Sequence, residues 1–221
     1  MGMIGDMKLR AARDEVARQS RRLAAEGMVL GTAGNVSARD GDLVAITPTG
    51  IRLAEARAEQ ITVVDLDGTV VDGALAPTSE LDLHLGVYRR YRAGAVVHTH
   101  APMATALSLV LDELPCVHYQ LMELGGTVRV APYRTFGTPE LADAVLDALD
   151  GRTAALMANH GALTHGADLA TATERALLLE WGCTLYWRAA AIGAPRTLSR
   201  AERAEYDEQV TRLAYGRTRE L

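Results

Sequence analysis

The stretch NVSARDGDLVAITP, residues 35–48, reads as two short β-rich runs around Asp40-Gly41. An Asp-Gly pair flanked by alternating apolar residues is a hairpin signal, because that dipeptide suits the positive φ of tight turns. The stretch ITVVDLDGTVVDG, residues 61–73, repeats the pattern around Asp67-Gly68. Two hairpins in the first third predict antiparallel pairing. They argue against a strand–helix–strand dinucleotide-binding start.

Working outward, Leu9, Ala12, Val16 and Leu23 keep helical spacing and Gly27 is a stop, so residues 9–27 are expected to be a helix. A second helix is expected from about Glu80 to Arg92, after Pro77-Thr78-Ser79, with Leu81, Leu85 and Tyr88 on one stripe. Residues 93–100 (AGAVVHTH) read as a strand. Residues 101–110 read as a helix with Pro102 in its first turn. Residues 126–133 (GTVRVAPY) form another strand, and 138–149 a helix opened by Thr138 and Pro139. TAALMANHG (153–161) reads as a buried strand, followed by a hairpin through GALTHGAD (161–168). Long helices are expected over Asp168–Ile192 and Ser199–Tyr215. The fold class is therefore α/β: one three-layer α-β-α domain over residues 1–221, with a central, mainly antiparallel sheet flanked by helices and residues 1–7 as a flexible start.

The 221 residues, 48% apolar and 23% charged, suit one globular domain with a substantial core. A formal charge of −5 gives no overall basic footprint for nucleic acid. The arginines between Arg10 and Arg22 alternate with acids and read as solvated helix faces. Cys116 and Cys183 are far apart with no CxxC, which fits a reducing compartment better than a disulfide framework. The N-terminal segment has no apolar core or cleavage pattern, and no run reaches the roughly 20 apolar residues of a membrane span. The expectation is a cytoplasmic protein with neither nucleic-acid nor membrane partners.

Chemistry is carried by the histidines. In a strand, residues two apart share a face, so His98 and His100 project together from the end of the Val96-Val97 run. That is ligand spacing for imidazoles, although two polar residues at a strand end give the same pattern. His160 also ends an apolar strand, with Gly161 after it. Three imidazoles would leave a zinc ion one open position, the arrangement of catalytic sites. His84 lies one helical turn after Glu80 and reads more readily as a packed residue than as a ligand. His165 reads as a surface residue, and the spacing of His118 beside Tyr119 assigns it nothing. Glu80 suits the first turn of a helix, where the macrodipole favours an acid.

Three loops, GTAGNVS (31–37), TPTG (47–50) and PTS (77–79), offer hydroxyls, amides and backbone N–H groups. Such loops bind phosphate without Lys or Arg. Each alone is ordinary turn chemistry, and only their convergence would make an anion site.

The ordered set GTAGNVS, ITPTG, PTSE, VVHTHAP, VHY, APYRTFGT, NHG and the terminal YG resembles the class II, zinc-dependent sugar-phosphate aldolases of the aldolase/adducin superfamily, in particular the L-fuculose-1-phosphate aldolases. The likeness runs from about Leu9 to Tyr215. The same superfamily holds L-ribulose-5-phosphate 4-epimerases, methylthioribulose-phosphate dehydratases, keto-acid phosphate decarboxylases and non-catalytic adducin-like modules. The resemblance implies one Zn2+ per subunit on His98, His100 and His160. Glu80 is then the acid/base and a metal ligand before substrate arrives. Gly34, Asn35, Thr49, Gly50, Thr78 and Ser79 are implied to bind the substrate phosphate, and Tyr119 to act near the site. Tyr215 is implied to reach a neighbouring site in a homotetramer.

The implied reaction is cleavage of a ketose 1-phosphate to dihydroxyacetone phosphate and an aldehyde. Zinc would stabilise the resulting enediolate as a Lewis acid. Lys8 is the only lysine, so a Schiff-base mechanism has almost no candidate residue. Glu80 favours the aldolase reading, because the epimerase-type pattern has Asp there. Thr78 stands where the family has Ser and keeps the hydroxyl. The tail RTREL after Tyr215-Gly216 does not align with the family's, which leaves the aldehyde half open.

Overall fold

A computed structural model describes residues 9–213. The expected flexible start, Lys8 and Tyr215 lie outside the described residues. Helix α1 (Arg10–Ala25) precedes the first hairpin, β1 (Asn35–Asp40) and β2 (Leu43–Ile46), which sets Ser37 opposite Ile46. The second hairpin pairs β3 (Thr62–Asp65) with β4 (Val70–Asp72). Its turn is fixed by Asp65 Oδ1, which accepts the backbone N–H of Asp67 and of Thr69 at 3.0 and 2.9 Å. Then follow α2 (Leu81–Arg90), β5 (Ala95–Thr99), α3 (Pro102–Ser108) and a two-residue β6 (Glu113–Leu114). A 3-10 turn covers Tyr119–Leu124. The chain continues through β7 (Val128–Ala131), α4 (Pro139–Ala148), β8 (Ala154–Met157), β9 (Gly161–Gly166), α5 (Leu169–Ile192) and α6 (Arg200–Leu213).

The nine strands form one sheet in the order β4-β3-β2-β1-β5-β9-β8-β7-β6. Among them only β7 and β8 run parallel, so the sheet is mainly antiparallel as the hairpins predicted. Alternate residues feed two cores. Val36, Ala45, Val63, Ala95 and Val97 pack with Val16 and Leu23 of α1 and Ala172, Ala176 and Leu179 of α5. Val44, Ile46, Val64 and Val96 face Leu83, Leu85 and Val87 of α2 and Leu141 and Val145 of α4. This two-sided alternation is the three-layer architecture.

The structure corrects several expectations. Arg13 is buried rather than solvated, and its guanidinium pairs with Asp72 of β4 at 2.5 Å. A charge leaves the surface in this way only when a partner from elsewhere in the chain meets it. His165 is buried rather than exposed, because β9 lies between β5 and β8 and all six of its residues are covered. Its ring stacks on Tyr91 at 5.3 Å between centroids. The hairpin turn lies at residues 158–160, between β8 and β9, rather than through residues 161–168. His160 therefore belongs to a turn and not to a strand.

Helix α6 has no buried residue, and Trp181 and Trp187 on α5 are 42% and 51% exposed. Both cysteines are free and buried. No described helix is long and apolar enough to cross a membrane.

Candidate metal centre and substrate cavity

Strand β5 carries His98, and His100 follows one residue past its end, where the extended spacing of two keeps both rings on one face. His160 arrives from the turn before β9, the neighbour of β5 in the sheet. That turn closes with the His160 N–H donating to the Met157 carbonyl at 3.1 Å, and Asn159 adopts φ 57°. Asn tolerates this left-handed conformation better than most residues. Gly161 lets the two strands meet: a Cβ there would stand 2.3 Å from the Thr99 carbonyl oxygen and 3.1 Å from the His100 ring.

The three imidazoles form a triangle. Each pair of ring centroids is 4.9 Å apart, at interplanar angles of 69°, 82° and 87°. One ligand nitrogen from each lies within 4.8 Å of the others. The Nε2 atoms of His98 and His100 are 3.1 Å apart. Nitrogens bound tetrahedrally to zinc at about 2.0–2.1 Å would be about 3.3 Å apart. His98 donates Nδ1–H to the Ala162 carbonyl at 2.9 Å, an outer-shell bond that aims Nε2 inward.

Glu80 covers this triangle. Its Oε2 lies 3.2 Å from His98 Nε2 and its Oε1 3.4 Å from His160 Nε2. Oε1 is buried with no hydrogen-bond partner. Although Glu80 is the N-cap residue of α2, its side chain makes no cap bond. Burial lowers His100 and His160, and with the nearby His98 brings each to about 4. Both are therefore neutral near pH 7 with lone pairs available. Burial also opposes a charge on His98, but the Glu80 carboxylate outweighs it and raises that group. Burial disfavours the Glu80 carboxylate too. The charge and hydrogen bond of His98, the Asn35 amide and the charge of His160 overcome it and hold Glu80 well below the usual carboxylate range. Three imidazole nitrogens and the Glu80 carboxylate, one of whose oxygens has no hydrogen-bond partner, lie close enough together to hold a divalent cation.

The three polar loops converge beside this centre. Gly34, Asn35, Thr49, Gly50, Thr78 and Ser79 line one cavity of about 440 Å3 together with Glu80, His100 and His160. Backbone bonds lock two of the loops together: Thr49 N–H to Ala76 O and Thr78 N–H to Thr47 O, both 3.1 Å. Gly34 is at φ 82°, and a Cβ there would stand 3.0 Å from the His98 carbonyl oxygen and 2.7 Å from Val29. The first loop can therefore lie against the strand that carries His98 only with glycine at this position.

Tyr119 does not line this cavity. It stands 42% exposed on the 3-10 turn, against the rings of His118 and Tyr206 at 4.6 and 5.8 Å.

The family model of the class II aldolase and adducin N-terminal domain matches residues 14–187. The chain belongs to this family. A 5-deoxy-D-ribulose 1-phosphate aldolase of Bacillus thuringiensis is 38% identical over 199 residues, covering 89% of this chain and 93% of that protein. An L-fuculose phosphate aldolase of Escherichia coli is 40% identical over 171 residues, covering 76% and 79%. A solved structure of an L-fuculose 1-phosphate aldolase superposes with a TM-score of 0.89 at 35% identity, covering 93% of this chain and 98% of that one. The protein is an enzyme, a class II aldolase.

Sequence reasoning missed four residues that line the cavity of this aldolase: Tyr133, Arg134, Phe136 and Asn159. The first three belong to the loop between β7 and α4. The motif APYRTFGT belongs to the family resemblance, but nothing in it shows which cavity the loop borders. Among the described residues Arg134 is the only arginine or lysine in the lining, and it donates to the Tyr133 carbonyl at 2.8 Å.

Proposed function

We propose that this class II aldolase reversibly cleaves a ketose 1-phosphate to dihydroxyacetone phosphate and an aldehyde, with one zinc ion on His98, His100 and His160. The observation that carries this reading is the meeting of the imidazole triangle, Glu80 and three neutral phosphate-type loops in one cavity. A zinc ion in the triangle supplies Lewis-acid stabilisation of the charge left when the carbon–carbon bond breaks. Asn35, Thr78, Ser79 and Thr49, with the backbone at Gly34 and Gly50, hold the phosphate through neutral donors. Binding far from the reacting bond thereby becomes orientation at it. Glu80 moves the proton on the substrate carbon that becomes the nucleophile, and it leaves its resting place against the imidazoles to do so.

Tyr119 does not line the cavity of its own chain, so its role, like the one proposed for Tyr215, lies in the cavity of a neighbouring copy. A homotetramer provides that neighbour. The uncovered α6 and the exposed Trp181 and Trp187 support such an assembly. The two free, buried thiols support a cytoplasmic location.

The relatives' names point to deoxy sugars. 5-Deoxyribulose 1-phosphate would give acetaldehyde, and fuculose 1-phosphate would give lactaldehyde. The aromatic Tyr133 and Phe136 at the cavity suit the methyl end of either.

The test is a panel of ketose 1-phosphates assayed for dihydroxyacetone phosphate, with and without chelator, beside light scattering for subunit number. Chelator-sensitive release from a deoxyketose 1-phosphate is expected. Release from no member of the panel, with a dehydration or epimerisation product instead, would overturn the reading.

A further inference from the structure

Behind Glu80 runs a chain of buried polar groups that metal binding and phosphate binding leave unexplained. It joins alternate residues of β1 to a one-sided stripe that runs along α2 from Glu80 to Tyr88. Asn35 and Ser37 are two apart on the strand, and Glu80, His84 and Tyr88 are four apart along the helix. Asn35 Nδ2 lies 2.8 Å from Glu80 Oε2, and His84 Nε2 lies 2.5 Å from Asn35 Oδ1. His84 Nδ1 is 2.7 Å from Ser37 Oγ, which is 2.7 Å from the Tyr88 hydroxyl. Ser37 and His84 have no exposed surface, and Tyr88 has 2%.

The proton positions along this chain follow from its carboxylate end. An ionised Glu80 only accepts, so the Asn35 amide must turn its NH2 toward it. The Asn35 carbonyl then faces His84, whose Nε2 must carry a hydrogen. A neutral imidazole has its lone pair on the other nitrogen, so Ser37 must donate to Nδ1. Ser37 Oγ is left to accept from Tyr88. Every donor along the chain points toward the acid.

We infer that His84 is a positioning residue: held as the Nε2–H tautomer by Ser37 and Tyr88, it fixes the Asn35 amide so that an N–H, not a carbonyl, meets Glu80. This rests on the reading of Glu80 as the proton-transfer group. Burial and the nearby His98 bring His84 down to about 3, in line with a neutral ring. Asn35 also lines the substrate cavity, and its second amide hydrogen is uncommitted to Glu80. One side chain therefore links the phosphate cradle to the carboxylate, and His84 sets which way it faces. A reversed amide would put its oxygen against Glu80 and repel it.

The direct test is the nitrogen-15 spectrum of the zinc-loaded, histidine-labelled protein near pH 7, with the His84 signals assigned by their absence in His84→Gln. The Nε2–H tautomer is expected. An Nδ1–H tautomer or an imidazolium would overturn the inference whether or not the protein is an aldolase. The kinetic test compares kcat, KM and bound zinc across variants. His84→Leu is expected to lower kcat by about 10- to 100-fold, the usual effect of losing an outer-shell partner, with zinc content unchanged and only a smaller rise in KM through Asn35. His84→Gln offers an amide nitrogen near the place of Nε2 and is expected to recover most of the loss. Ser37→Ala, which removes only the donor to Nδ1, is expected to fall between them and serves if the leucine variant does not fold. Wild-type kcat in folded, zinc-loaded His84→Leu, or in Ser37→Ala if only that variant folds, would also overturn the inference. An inactive wild type would instead refute the aldol reading and leave the tautomer result standing.

Discussion

Glu80 lies at the start of α2, where an acid would normally interact with the helix end, yet its side chain turns to Asn35, His98 and His160. That direction could not be read from the sequence, because Asn35 and the imidazoles come from distant segments. The three histidines were legible as a group: His98 and His100 by their spacing, and His160 by its place after an apolar run, although it stands in a turn rather than at a strand end. Arg13 and His165 were misjudged because type and local pattern do not reveal a partner such as Asp72 or a pair of covering strands. Glu80→Gln keeps the shape of the side chain but cannot take a proton. Its kcat is expected to fall by about 100- to 10,000-fold, the span of general acid–base catalysis. Zinc content and phosphate binding should stay at wild-type levels, read by metal analysis and by titration with a phosphate analogue. Full turnover would remove Glu80 from the mechanism.

Among the elements, hairpins and long helices were the readable part. Asp-Gly turns and three- or four-residue periodicity are local signals, and β1–β4, α1 and α5 follow them. β6 and the 3-10 turn were missed because two or six residues carry too little pattern. The turn at 158–160 was missed because Asn159, not glycine, takes the positive φ. Gly161 shows what such placement demands. Gly161→Ala pushes a methyl group into the Thr99 carbonyl at the join of β5 and β9. Overpacking of this kind costs about 1–3 kcal/mol. A lower unfolding temperature and weaker zinc binding are expected together, by calorimetry and metal titration. Unchanged values for both would mean that the strands separate without cost.

For the whole molecule, the three-layer class was legible because strand alternation and helix stripes both demand a covered sheet. The meeting of three loops in one cavity was not, since it depends on strand order. The buried imidazoles make the fold sensitive to acid. The ordinary value of 6.5 for His84 falls to about 3 in the folded chain. Between those values the unfolded chain holds the extra proton, so stability is full above about pH 6.5 and is lost progressively as pH falls toward 3. His100 and His160, at about 4, act in the same direction in metal-free protein, while the raised His98 changes stability only above pH 6.5. Metal-free protein should therefore melt at steadily lower temperature below pH 6.5, and His84→Gln should flatten that decline in a calorimetric pH series. The ends of the adjacent strands β5 and β9, at the middle of the sheet, bring together three imidazoles from opposite halves of the chain: His98 and His100 at the end of β5, and His160 in the turn before β9. An ion gripped from both sides rivets those halves together. By mass action, ligand at one hundred times its Kd adds about 2.7 kcal/mol of stability. Stripping such an ion would then take away mechanical integrity as well as chemistry, and enzyme stored in a chelating buffer should age faster than protein kept with zinc.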